Sequence, residues 1–166
     1  ATPVSPASSP AASPPPATPV PTEAVGVVDA SYTGPTYGVR VGWNAANWQV
    51  LTVADAPGVD DLVLGTGRSV RALTAFAGFA GAAAACLDDA LLALRNQPEV
   101  SALEPLPGEP RPMSPIFDGR SELVGYVTTL PDGEELRIVE FVSCQTVVPG
   151  EAVLAIRWRV PAASFE

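Results

Sequence analysis

The chain offers few residues with chemistry to perform. They are three adjacent acidic pairs, Asp60-Asp61, Asp88-Asp89 and Glu134-Glu135, and two cysteines, Cys86 and Cys144. Neighbouring residues of a helix or strand point away from each other, so none of the pairs forms an acid/base dyad. A calcium ion would need several oxygens folded around it by one shaped loop. Residues 55–61 are the one acidic loop candidate, and their spacing matches no known calcium motif, so they read as a solvated loop. The chain has no His and no Lys. That removes Ser-His-Asp and Cys-His catalysis, His-ligated metals, Schiff bases and the P-loop lysine, as far as this chain alone is concerned. The expectation is a protein without a catalytic residue, metal or cofactor, and not an enzyme. Hydrolase is the least supported class because the bases are missing.

An even cysteine pair in an exported chain reads as a disulfide, so Cys86 and Cys144 are expected to be bridged. The alternative is two buried free thiols, which need no oxidising compartment. Export is itself an expectation from the N-terminal composition. The chain begins with Ala, and eight of residues 1–24 are Pro, with Ala, Ser and Thr making up nearly all the rest. A segment of this kind follows a signal-peptide cleavage site or a membrane anchor. It holds no Leu, Ile or aromatic residue, so it cannot bury enough apolar surface to offset the entropy of ordering. Residues 1–24 are therefore expected to be a disordered tail, and 25–166 a single domain in a secreted or cell-surface protein.

Nine Arg face eighteen Asp and Glu, a net charge of −9. That balance argues against nucleic-acid backbones and anionic membranes as partners, and its simplest consequence is solubility. The longest apolar run, about 82–94, is interrupted by Asp88 and Asp89 and is too short to span a bilayer, so no membrane insertion by this chain is expected.

The elements that must position these residues follow from periodicity. Val39, Val41 and Trp43 alternate with Arg40 and Gly42, as on a half-buried strand. Residues 48–53, 62–64 and 70–76 read as further strands, with a loop at 55–61 and a turn at Gly65-Thr66-Gly67. The period then changes. Residues 82–96 are rich in Ala, with Leu87, Leu91 and Leu94 on one face, which predicts a helix that ends before Pro98. A short strand at 100–106 leads to 105–115, a loop holding five prolines. Strands at 122–130, 135–147 and 152–160 form a meander around the turns Pro131-Asp132-Gly133 and Pro149-Gly150. The prediction is α+β with a largely antiparallel sheet. Cys86 on the helix and Cys144 on the long strand would staple the two together.

The segment Tyr32-Thr33-Gly34-Pro35-Thr36-Tyr37-Gly38-Val39-Arg40-Val41-Gly42-Trp43, followed by Trp48, resembles the opening of PsbP/Mog1-like domains. Asn44 stands where that family often has Pro. The resemblance covers roughly residues 30–165. It implies an α/β/α sandwich around an antiparallel sheet, and a non-catalytic binding or accessory role in the manner of secreted or lipid-anchored bacterial members. It transfers no functional residue, since the matching positions are packing positions.

Two functional readings follow. The first is an extracytoplasmic interaction or accessory module with a protein partner. The second is a small-ligand carrier with an apolar pocket between sheet and helix. Tyr37, Trp43, Trp48 and Trp158 could line an aromatic groove or simply the core. The passage around Gly78 and Gly81, flanked by Phe76 and Phe79, reads as a close-packing junction and not as a phosphate loop, because no GxGxxG pattern and no Lys accompany it. The proline-rich loop could present a polyproline II segment to a partner.

Overall fold

The computed structural model describes residues 26–53, 56–107 and 118–164. The expected tail 1–24 and most of the expected loop 105–115 lie outside the described residues. Among the described residues ten strands and one α-helix follow one another: β1 (Val27–Val28), β2 (Ser31–Thr33), β3 (Arg40–Gly42), β4 (Gln49–Val53), β5 (Val59–Thr66), β6 (Ser69–Ala77), α1 (Ala83–Arg95), β7 (Val100–Pro105), β8 (Gly119–Thr129), β9 (Glu135–Val148) and β10 (Ala152–Pro161). Short 3-10 turns occupy Phe79–Gly81 and Ala162–Ser164.

The strands form two sheets. The large one has the order β4-β5-β6-β10-β9-β8-β7, and every pairing in it is antiparallel. The fold is therefore α+β with an antiparallel sheet. The chain leaves β6 in the middle of the sheet and must re-enter at β7 on its far edge, beyond β10, β9 and β8. α1 makes that crossing over one face. Ala83, Cys86, Leu87 and Leu94 are its buried residues, with Ala90 and Leu91 packed beside them, while Asp88 and Asp89 face solvent. This is the stripe that the Leu spacing predicts.

β1, β2 and β3 form the small sheet. It lies against the face of the large sheet opposite α1, where Tyr32 packs with Leu62, Leu64, Leu73 and Ile156, and Val41 and Trp43 close around them. The family resemblance implied helices on both faces. Among the described residues one face carries a helix and the other carries strands.

β5 begins at Val59, three residues before the expected start, so Asp60 and Asp61 belong to a strand and not to a solvated loop. Both edges of the large sheet are irregular: β4 is bulged between Val50 and Thr52, and β7 between Ser101 and Glu104. Ala102 in that second bulge adopts a left-handed φ of 51°. Bulged edges make poor templates for pairing with further strands.

Candidate functional site

The acidic pairs separate in space, and none forms a site. Asp60 is 2 % exposed. Its carboxylate accepts backbone N–H groups from Thr36 and Tyr37, each at 2.7 Å. Gly34 presses against the same group so closely that a Cβ there would stand 2.0 Å from an Asp60 oxygen. The Thr33-Gly34-Pro35-Thr36-Tyr37-Gly38 turn is thus a cradle for one buried carboxylate, and that requirement accounts for Gly34. Asp61, on the other side of the strand, accepts the Thr74 hydroxyl at 2.6 Å. Asp88 and Asp89 lie on the solvent side of α1, and Glu134 forms an exposed ion pair with Arg68. No group of three or more metal-ligating side chains occurs among the described residues.

A second buried carboxylate is Glu140 on β9, fully enclosed on the face covered by α1. The Tyr126 hydroxyl donates to one of its oxygens at 2.7 Å, and Arg157 Nε donates to the other at 2.5 Å. Burial first, then the charge of Glu140 and the hydrogen bond to it, raise the Tyr126 pKa above the ordinary phenol range. Burial works against the Arg157 cation, but the hydrogen bond and charge of Glu140 more than offset it and hold the guanidinium protonated. Each carboxylate oxygen thus accepts from one fixed side chain. It is a structural charge.

Cys86 on α1 and Cys144 on β9 are brought together, with sulfurs 2.00 Å apart and Cα atoms 6.0 Å apart. Both are buried at the centre of the cluster formed by Leu87, Leu94, Tyr126, Ile138 and Val153. The link joins helix to sheet where the sequence suggests. The glycine passage before α1 packs closely: Gly81 has φ +70°, and a Cβ there would meet the Val148 carbonyl oxygen at 2.8 Å. The Thr146 hydroxyl donates to the Gly81 carbonyl at 2.6 Å, which fixes this corner to β9.

A pocket lies on the face opposite the helix, between the two sheets: a cleft of about 850 Å³. The roof comes from Val39 to Gly42 on and before β3, and the floor from β6, β10, β9 and β8. Cross-strand register builds the floor. Arg71, Trp158, Phe141 and Leu123 stand in one row across four strands, each opposite the next. Leu73 and Ile156 form another pair, also directly opposite. The side chains are overwhelmingly apolar. The exceptions include two cations, Arg40 and Arg71, and no Asp or Glu among the described residues lines the cleft.

Arg71 is held between two indoles. Its guanidinium carbon lies 4.5 Å from the centroid of Trp158 on the β10 side and 5.0 Å from that of Trp48 at the start of β4. Desolvation lowers its pKa from the ordinary arginine value. Ion pairs among the described residues engage Arg68, Arg120 and Arg157, and not Arg71. Of the aromatic residues singled out from the sequence, Trp48 and Trp158 therefore hold an arginine, while Trp43 packs against the small-sheet cluster.

These features define a two-sheet antiparallel domain with a helix stapled to one face and an apolar, cation-bearing cleft on the other. Comparison of the chain with protein families, curated proteins and solved structures finds no match.

Sequence reading missed Arg71, Asp60 and Glu140 as residues with fixed partners. Glu140 carried a local signal, since it falls on the apolar side of its strand between Ile138 and Val142. Arg71 carried none, because its two neighbours come from strands 23 and 87 residues away along the chain.

Proposed function

We propose that this chain is an extracytoplasmic, non-catalytic binding module that takes an apolar small ligand into the cleft between its two sheets. The observation that carries the reading is the cleft itself. About 850 Å³ of apolar-walled space lies in the range of sites that enclose small molecules, and partly exposed Trp158 is one of its walls. The carrier reading thereby overtakes a purely protein-binding accessory module, and its pocket moves from beneath the helix to between the sheets. A secreted or cell-surface location is part of the proposal, supported by the buried Cys86–Cys144 pair. Kinship with PsbP/Mog1-like domains is carried with it on the Tyr32-to-Trp48 pattern alone. The charge of −9 supports a ligand other than nucleic acid.

Fluorescence titration with N-phenyl-1-naphthylamine, a neutral apolar probe, tests the reading. Saturable uptake with quenching of tryptophan emission is expected, and Ile156→Trp, which fills the floor of the cleft, should weaken it about tenfold or more. Unsaturable uptake, or uptake indifferent to Ile156→Trp in a folded variant, would show that the cleft is not a binding site.

A further inference from the structure

The geometry points to an aliphatic monocarboxylic acid as the ligand, with its chain along the Leu73–Ile156–Phe141 floor and its carboxylate on the edge of the Arg71 guanidinium. This inference rests on the cleft being a binding site and adds the chemistry of what it binds.

The first observation is charge complementarity. In a chain with twice as many acids as arginines, the described residues that line the cleft include Arg40 and Arg71 and no carboxylate. A cation beside an apolar wall suits a molecule with one anionic end and one apolar end. The second is the way Arg71 is held. Guanidinium donors radiate in the plane of the group, and its faces are the part that aromatic rings cover. Trp48 and Trp158 both lie within cation–π distance of the guanidinium carbon, contacts that leave its N–H donors without an acceptor of their own. Among the described residues those donors have no carboxylate partner. A planar fork of donors without an acceptor matches a carboxylate, which accepts two parallel hydrogen bonds. The indoles also restrict the side chain, so little rotamer entropy remains to be lost on binding.

The third observation is position. Arg71 stands at one end of the row that continues through Trp158, Phe141 and Leu123. An anion on Arg71 therefore lies at the edge of the apolar floor and not over its middle, so head and chain can be satisfied together. Ester or alcohol head groups would leave the charge uncompensated in a partly desolvated setting, where the loss counts for more than in water.

The test displaces N-phenyl-1-naphthylamine from the full chain with decanoate and, separately, decan-1-ol, both below micellar concentrations and at neutral pH. Decanoate is expected to displace the probe at a concentration about tenfold to a hundredfold lower than the alcohol, the range for a hydrogen bond to a charged group. Partition alone favours the alcohol, so a preference for the acid cannot come from hydrophobicity. Arg71→Met should abolish the preference for the acid in the folded variant, and Arg71→Lys should keep part of it. Equal displacement by acid and alcohol in the unaltered protein overturns the carboxylate assignment and leaves cleft binding standing, whatever the variants do. If the folded protein takes up no probe at all, both readings fall.

Discussion

One sheet presents two faces built on opposite terms. On the α1 side, even-numbered residues of β9 meet a helix of small and branched side chains, a cysteine link and a buried carboxylate held by two side chains. On the other side, odd-numbered residues of the same strand, Val139, Phe141 and Gln145, meet three short strands that cover only part of the floor. A 13-residue helix crossing three strands can seal what lies beneath it, whereas strands of two and three residues cannot. The two faces therefore differ in construction: the helix side carries the cysteine link and the Glu140 contacts, and the small-sheet side carries both a buried cluster and an open cleft.

Replacing both cysteines attacks this contrast hardest. Cys86→Ala with Cys144→Ala opens a link between residues 58 apart, for which chain entropy alone suggests about 4 kcal/mol and experience about 2–5. Urea unfolding should show that loss, while probe affinity of the still-folded variant stays within about twofold. A large fall in affinity would show that the two faces are not independent.

Asp60→Ala should behave in the reverse sense. It removes the acceptor for two backbone N–H groups in the turn that leads into β3, at a cost of about 1–3 kcal/mol. Because β3 is the roof of the cleft, affinity for the probe should fall more steeply than stability does. Asp60→Asn, which keeps one acceptor oxygen, should recover part of both.

The smallest effect is expected at Tyr126. Its pKa is raised in the folded chain, so its contribution is fully present below the unfolded value of about 10 and is lost as the pH climbs above that. Thermal unfolding between neutral and strongly alkaline pH should therefore show stability falling beyond about pH 10, and Tyr126→Phe should make that fall shallower. Tyr32, whose pKa burial also raises, keeps part of the slope in the variant. At neutral pH the lost hydrogen bond should cost about 1 kcal/mol, with cleft binding unaffected.

How far the sequence discloses this arrangement depends on the range of each signal. The helix at 82–96 and the strands at 122–130, 135–147 and 152–160 fall within a few residues of α1, β8, β9 and β10, because periodicity and turn chemistry act over a few residues. The sequence placed the Cys86–Cys144 staple on the right pair of elements for the same reason. The beginning of β5 was misread because an Asp-Asp pair looks like solvated loop until the turn at 34–38 closes over it, and that contact spans 24 residues. The cleft between the sheets is not legible in the sequence because nothing local reveals that β1 to β3 detach into a second sheet. Arg71 became visible only when β4 and β10 brought Trp48 and Trp158 to either side of it.

The position of β10 has a consequence for the order in which the chain is made. Among the described residues this strand is the sole bridge between β6 and β9, so before it arrives β4-β5-β6 and β9-β8-β7 are two separate ribbons, each with a bare inner edge. The Cys86–Cys144 partners are both in place by then, but the floor of the cleft is not, since Leu154, Ile156 and Trp158 belong to the missing strand. A nascent chain can thus be tied before the floor of the cleft is complete. The floor closes only with β10, in the same step that closes the two edges most exposed to mispairing.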